Sequence, residues 1–264
     1  MNTFLLKRLK PCFSWMILLF TLAIVAGCST APVRHGELIE PVYPADRLIK
    51  ADIKTLDVYD PWEGFNRRMY NFNYYFDKYL FLPVVSGYAY IMPDFMEKGV
   101  SNFFQNLGEI KNFMNSALQL KGKSTATTAG RFVVNSTVGI LGLFDPATSM
   151  KMYRVDEDFG QTLGYYGLGP GPYMVLPIFG PSSLRDTTGL VVDTAVYTFV
   201  TNEIIEELDM SDNDEDLLKY SLTLLRAVDA RHRTKFRYHG TGSPFEYDLL
   251  RLLYNTKREI EIEK

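Results

Sequence analysis

From Trp62 onward the apolar side chains recur in steps of three and four residues, and that spacing constrains the fold more than any other feature. Trp62, Phe65, Met69, Phe72, Phe76 and Tyr79 fall on one stripe of a 3.6-residue helix, with Glu63, Arg67, Asn71 and Lys78 elsewhere. Asp60-Pro61-Trp62-Glu63 supplies a start signal: an acid that can cap, a proline suited to the first helical position, and a capping-box acid. Pro93 opens a second period through Met96, Val100, Phe103, Leu107, Ile110, Met114 and Ala117, which Gly122 stops and Gly108 could divide. Ser124 is placed to cap a shorter helix reaching Val133. Residues 139–181 are rich in Gly and Pro, with a helical turn or two around Asp158 to Tyr166; Ser182 or Ser183 then begins a helix that is mostly apolar from Gly189 to Val200. The acidic stretch 203–216 reads as a solvated turn before a helix that buries Leu217, Leu218, Leu222, Leu225 and Val228. Ser243-Pro244-Phe245-Glu246 is a second capping box, opening a final helix with Phe245, Leu249, Leu252 and Leu253 on one face. Period-two alternation is almost absent, so the expected fold class is all-α.

These helices are short in apolar terms. Twelve residues rise only about 18 Å against roughly 30 Å of bilayer core, so nothing after the first thirty residues is expected to cross a membrane as a simple helix. The first thirty carry a targeting signal: Lys7, Arg8 and Lys10 precede an apolar run from Phe13 to Val25 that ends in Val25-Ala26-Gly27-Cys28. Small residues leading into a cysteine form the bacterial lipobox, which predicts cleavage before Cys28 and acylation of its thiol. Ser29, where an Asp would favour retention at the inner membrane, points to the outer membrane. The expected organisation is a signal peptide over 1–27, a lipidated extended tether over 28–58 containing Pro32, Pro41 and Pro44, a helical domain over 59–202, and C-terminal helices over 203–264 that complete it or are appended to it.

Several function classes lose support on residue inventory. The first 27 residues carry three of the basic side chains and no acid, which takes the net charge from −3 to −6 and argues against a nucleic-acid partner. Cys12 leaves with the signal and Cys28 is acylated, so no thiol remains for a disulfide, a metal or a nucleophile. His35, His232 and His239 lack metal-ligand spacing. Gly122-Lys123-Ser124 resembles the end of a phosphate-binding loop, but Ala117 stands where that loop needs glycine. Asp212, Asp214 and Asp216 are spaced like a calcium loop, yet Leu217 and Thr223 occupy its glycine and closing-Glu positions. The expectation is a non-enzyme without cofactor or metal. Carboxylate pairs such as Asp156 and Asp158 keep a glycan or lipid hydrolase open as a rival.

Two blocks are denser in special residues than packing requires. One runs Asp60-Pro61-Trp62-Glu63-Gly64-Phe65-Asn66-Arg67, then Met69-Tyr70-Asn71-Phe72-Asn73. The other runs Asp158-Phe159-Gly160-Gln161-Thr162-Leu163-Gly164, then Gly169-Pro170-Gly171-Pro172-Tyr173, Leu176-Pro177, Gly180-Pro181-Ser182 and Arg185-Asp186. Together, over roughly residues 58–200, they resemble the VacJ/MlaA family of outer-membrane lipoproteins, which maintain lipid asymmetry by removing phospholipid from the outer leaflet. The resemblance implies a ring-like bundle of amphipathic helices lying in or on the membrane, a Gly/Pro-rich hairpin segment, a central amphipathic channel, porin trimers alongside, and a soluble periplasmic lipid carrier as recipient. By motif position it implies ring roles for Asp60, Pro61, Trp62, Asn66, Asn71, Phe72 and Asn73. Asp158, Gly160, Gly164, Gly169, Gly171, Tyr173 and Pro177 would shape the channel wall or hairpin. Arg185, Asp186 and Asp193 would face a lipid headgroup or form a structural ion pair. Amphipathic helices of this kind fit an interface plane and equally an ordinary soluble core. A scaffold lipoprotein that docks porins and moves nothing is the main alternative to transport.

Overall fold

A computed structural model of the chain describes residues 58–240 and 242–264. The signal peptide, Cys28 and the tether up to residue 57 lie outside the described residues. The all-α expectation holds: the described residues form helices and one short hairpin.

The first helix, α1 (Glu63–Phe76), has Trp62 as its N-cap with no side chain closing it. Asp60 is not the cap that the sequence suggested. Its carboxylate is buried and instead accepts from Asn66, Tyr247 and Arg251. One π turn, Asp77–Phe81, leads into α2 (Leu82–Ile91), a helix that periodicity does not reveal because it is apolar all round. The π turn has a local cause. Pro83 has no N–H and in a regular helix its ring would meet the carbonyl four residues back; widening the turn, with the Leu82 N–H donating to the Asp77 carbonyl, accommodates it.

Helix α3 (Asp94–Leu118) passes through Gly108 unbroken, and a Cβ at that glycine would lie 3.3 Å from the Arg154 guanidinium. Helix α4 (Gly122–Thr137) begins before Ser124 and returns along α3, as the pairs Asn106–Ser136 and Glu109–Arg131 record. Asp145 caps the short α5 (Pro146–Ser149), and Asp158 caps α6 (Phe159–Tyr165) by accepting from the Gln161 N–H. Strands β1 (Tyr173–Leu176) and β2 (Gly180–Ser183) pair antiparallel, from Tyr173 opposite Ser183 to Leu176 opposite Gly180. Ser183 then caps α7 (Leu184–Glu206). The last two helices are α8 (Asp212–Arg233), capped by Ser211, and α9 (Glu246–Glu263). Leu217, expected inside, is 66% exposed, and the buried residue of α8 is Asp229.

That reversal is general. Among the described residues, the buried set holds nine hydrophobic side chains and twenty-three polar or charged ones, while forty large hydrophobic side chains are exposed. In α3 the interior stripe is Asn106, Glu109, Asn112, Asn115 and Ser116, and the apolar period read from sequence lies half-buried or outside. The interior is hydrogen-bonded in compensation, as burial of polar groups demands. Arg131 alone reaches Glu109 at 2.7 Å, Asp145 at 3.2 Å, the Thr148 hydroxyl at 3.0 Å and the Met152 carbonyl at 2.6 Å. The small apolar cluster is Met69, Tyr70, Tyr173, Val175 and Tyr247, with Phe72 packed against it. Among the described residues no helix is long and apolar enough to cross a membrane.

Candidate functional site: a clamped hairpin beside two adjoining cavities

The hairpin is held to α1 by two asparagine side chains. Asn66 Nδ2 donates to the Tyr173 carbonyl at 3.0 Å and its Oδ1 accepts from the Val175 N–H at 2.9 Å. Asn73 repeats the arrangement one step along, donating to the Leu176 carbonyl at 2.9 Å and accepting from the Ile178 N–H at 2.7 Å. The spacing is a length match. Seven helical residues rise about 10.5 Å and three strand residues about 10 Å, so side chains two turns apart meet strand positions three apart. Both asparagines are buried, so each amide satisfies backbone groups on a strand edge that no third strand covers among the described residues. Asn66 also donates to Asp60 at 2.7 Å, tying the segment before α1 into the same clamp.

Where α6, α7 and α9 meet, the charges are knotted. Arg258 makes two bonds to Asp158 at 2.7 and 2.8 Å and one to Asp186 at 3.0 Å; Asp186 also accepts from Arg185 at 3.0 Å and the Tyr254 hydroxyl at 2.7 Å. Burial alone would raise the Asp186 carboxyl, but the bonds from Arg258 and Arg185 hold it at about 2. Asp158 is likewise lowered by Arg258 against its burial. Asp193 moves the other way: burial raises it, although it accepts from Asn115 Nδ2 and the Phe159 N–H, both at 3.0 Å. Close backbone approach makes this junction possible. A Cβ on Gly189 would sit 2.3 Å from the Gly160 nitrogen, and a Cβ on Gly160 would sit 2.6 Å from Asp186 Oδ1.

Two cavities flank the hairpin. One, of about 440 Å³, is bordered by charges from α3, α7, α8 and α9, including Lys111, Asp158, Asp186, Asp193, Arg226 and Arg258. The other, of about 620 Å³, is walled mainly by Phe76, Phe81, Phe236, Tyr238, Leu250 and Leu253. Phe179, Pro181, Ala230, Tyr254 and Lys257 line both, so the charged and the apolar space adjoin at the hairpin. Phe179 is 71% exposed at the tip, next to Ile178, which holds a φ of 71°.

The structure gathers Asp60, Asn66, Asn73 and Tyr173 in the clamp, with Phe72 packed behind it, and Asp158, Gly160, Arg185 and Asp186 in the knot. Gly164 admits α9, since a Cβ there would meet Ile262 Cδ1 at 2.5 Å; Gly171 has a φ of 69° in the turn before β1, and Pro177 opens the hairpin turn. Pro61, Trp62 and Asn71 are exposed, and their side chains make no hydrogen bond in either group. Nothing within 4 Å of a Cβ on Gly169 requires glycine there. Sequence reading missed the partners from α9: Tyr247 and Arg251 on Asp60, Tyr254 and Arg258 on Asp186. Their signal was present. They recur at steps of four, three and four, a polar-aromatic stripe opposite the leucines that attracted attention.

A family model described as MlaA lipoprotein matches residues 58–261, past residue 200 where the sequence motifs end. An uncharacterized protein of Rickettsia prowazekii is 38% identical over 162 residues, 61% of this chain and 62% of that protein, so the chain spans about three-fifths of the curated relatives that it matches first. The intermembrane phospholipid transport system lipoprotein MlaA of Escherichia coli K12 is 40% identical over 138 residues, 51% of this chain and 55% of that protein. Among solved structures, a chain from work on the structural basis for maintenance of bacterial outer membrane lipid asymmetry aligns with a TM-score of 0.60 and 28% identity, covering 77% of this chain and 98% of that one.

Proposed function

The chain belongs to the MlaA lipoprotein family, and on that premise we propose that it is an outer-membrane lipoprotein that carries phospholipid from the outer leaflet through an amphipathic channel toward a periplasmic carrier, maintaining lipid asymmetry. The observation that carries this reading is the pair of adjoining cavities, one charged and one apolar, meeting at the hairpin tip. A phospholipid has that same division along its length. Exposing its acyl chains to water costs on the order of 0.8 kcal/mol per CH₂, so a path with one apolar wall removes most of the barrier without fuel.

The inverted interior supports a body lying in a bilayer. In water, forty exposed large hydrophobic side chains around a polar interior would be unfavourable; in lipid they meet their own kind, while hydrogen-bonded polar groups belong inside. Leu120, Ile140, Leu141 and Ile178 occupy left-handed backbone conformations, costly for apolar side chains, and all four are exposed. In this reading the acyl chains on Cys28 deliver and orient the protein, and a ring of helices sits in the inner half of the membrane beside porin trimers.

Ala230 borders both cavities, so Ala230→Trp tests the reading. Labelled phospholipid is followed from vesicles containing the full chain to a soluble carrier. Transfer that falls at least about tenfold in the variant, with helical content retained, supports conduction. An unchanged rate refutes the path and favours the scaffold.

A further inference from the structure

Not every cation of the charged cavity is committed to the fold. Arg258 is held by Asp158 and Asp186, Arg233 by Asp229 at 2.9 Å, Lys257 by Glu261 at 3.4 Å, and Arg154 by Asp156 at 2.6 Å. Among the described residues Lys111 and Arg226 make no ion pair within 4 Å, although the charge of Lys111 reaches Asp158 and Asp193 across the cavity. Arg226 instead rests over the Tyr197 ring, with its guanidinium carbon 3.5 Å from the centroid. Lys111 lies three residues along α3 from Gly108, whose missing side chain leaves space for Arg154, and Arg154 Nη1 is buried without a hydrogen-bond partner. The remaining carboxylate of this wall, Asp193, is already occupied by Asn115 and the Phe159 N–H.

Resting on the conduit reading above, we propose that Lys111 and Arg226 engage the phosphate of the lipid headgroup and thereby select lipids that carry net negative charge over zwitterionic ones. The chemistry is phosphate recognition by an ammonium and a stacked guanidinium in a partly enclosed cavity, where ion pairing is stronger than in bulk water. A zwitterionic lipid brings a cationic ammonium, quaternary in phosphatidylcholine, with its phosphate, and that group meets the same two cations unfavourably. The apolar cavity beside it receives the chains whatever the headgroup.

The test uses the full chain in vesicles containing equal amounts of labelled phosphatidylglycerol and phosphatidylcholine, with a soluble lipid acceptor outside. Phosphatidylglycerol should move about fivefold faster, and Lys111→Gln combined with Arg226→Gln should bring the ratio toward one by slowing phosphatidylglycerol more than phosphatidylcholine. Arg226→Lys, which keeps the charge, should retain most of the preference and separates selectivity from a folding defect. Millimolar inorganic phosphate should leave the preference in place; its loss would mean that the free anion is the ligand and would overturn the headgroup assignment. Equal movement of the two lipids in the wild type, or an unchanged ratio in the double variant, overturns the selectivity but not the conduit. No protein-dependent movement of either lipid overturns both.

Discussion

Asn73→Ala separates the two halves of the hairpin clamp. It removes the bond to the Leu176 carbonyl at 2.9 Å and the acceptor of the Ile178 N–H at 2.7 Å. A neutral hydrogen bond contributes about 1 kcal/mol net, and a buried partner left unpaired costs about 1–3 kcal/mol. Pro177, Ile178 and Phe179 are exposed, so water reaches the orphaned groups and the lower end of that range applies. A local cost of about 1–2 kcal/mol multiplies the opening equilibrium of the hairpin turn by roughly 5–30. Amide hydrogen exchange reads this directly: Ile178 should exchange 5- to 30-fold faster, roughly speaking, while Val175, whose N–H is held by Asn66, changes by less than about twofold. Asn73→Asp should open the turn further, because its second oxygen faces the Leu176 carbonyl that the amide nitrogen served. Ile178 exchange that stays at the wild-type rate refutes the clamp. An equal rise at Val175 refutes the independence of its two halves.

Gly189→Ala should destabilise by about 3 kcal/mol, because its Cβ falls 2.3 Å from the Gly160 nitrogen and the two helices must part; Gly169→Ala, with open space around it, should stay within about 0.5 kcal/mol, and thermal melts of both in detergent decide the contrast. Asp186, held at about 2 in the folded chain against its ordinary 3.8, contributes about 2 kcal/mol that is fully present above pH ~4 and lost as pH falls toward 2. A denaturation midpoint that drops equally over that window in Asp186→Asn would show that another group is responsible. Arg258→Leu should cost about 3 kcal/mol, since it leaves the partly buried Asp158 without its cation and the buried Asp186 with Arg185 alone; a denaturant titration showing less than about 1 kcal/mol would mean that the knot is hydrated.

Local chemistry was legible along the chain. Asp158 and Ser183 cap the helices where their side chains can reach backbone N–H groups two or three residues on, and no distant residue is needed to predict it. The helical character of 63–76, 94–118 and 184–206 followed from spacing, and the absence of an apolar run long enough to span a bilayer followed from length. The motif block Asp60 to Asn73 identified the clamp residues Asn66 and Asn73 without saying what they hold, because their partners are backbone atoms more than a hundred residues away.

What the sequence could not decide was which face points inward. A 3.6-residue period locates a stripe, and the direction of that stripe depends on the surrounding solvent: apolar side chains turn inward in water and outward in lipid. Only the packed structure shows Glu109, Asn112 and Asn115 inside and Leu217 outside. The meeting of Asp60 with Arg251, and of Asp158 and Asp186 with Arg258, likewise belongs to the tertiary structure. Charge partners on different helices carry no spacing rule in sequence, unlike those at i and i+4 of one helix, and it is the docking of α9 that brings these charges together.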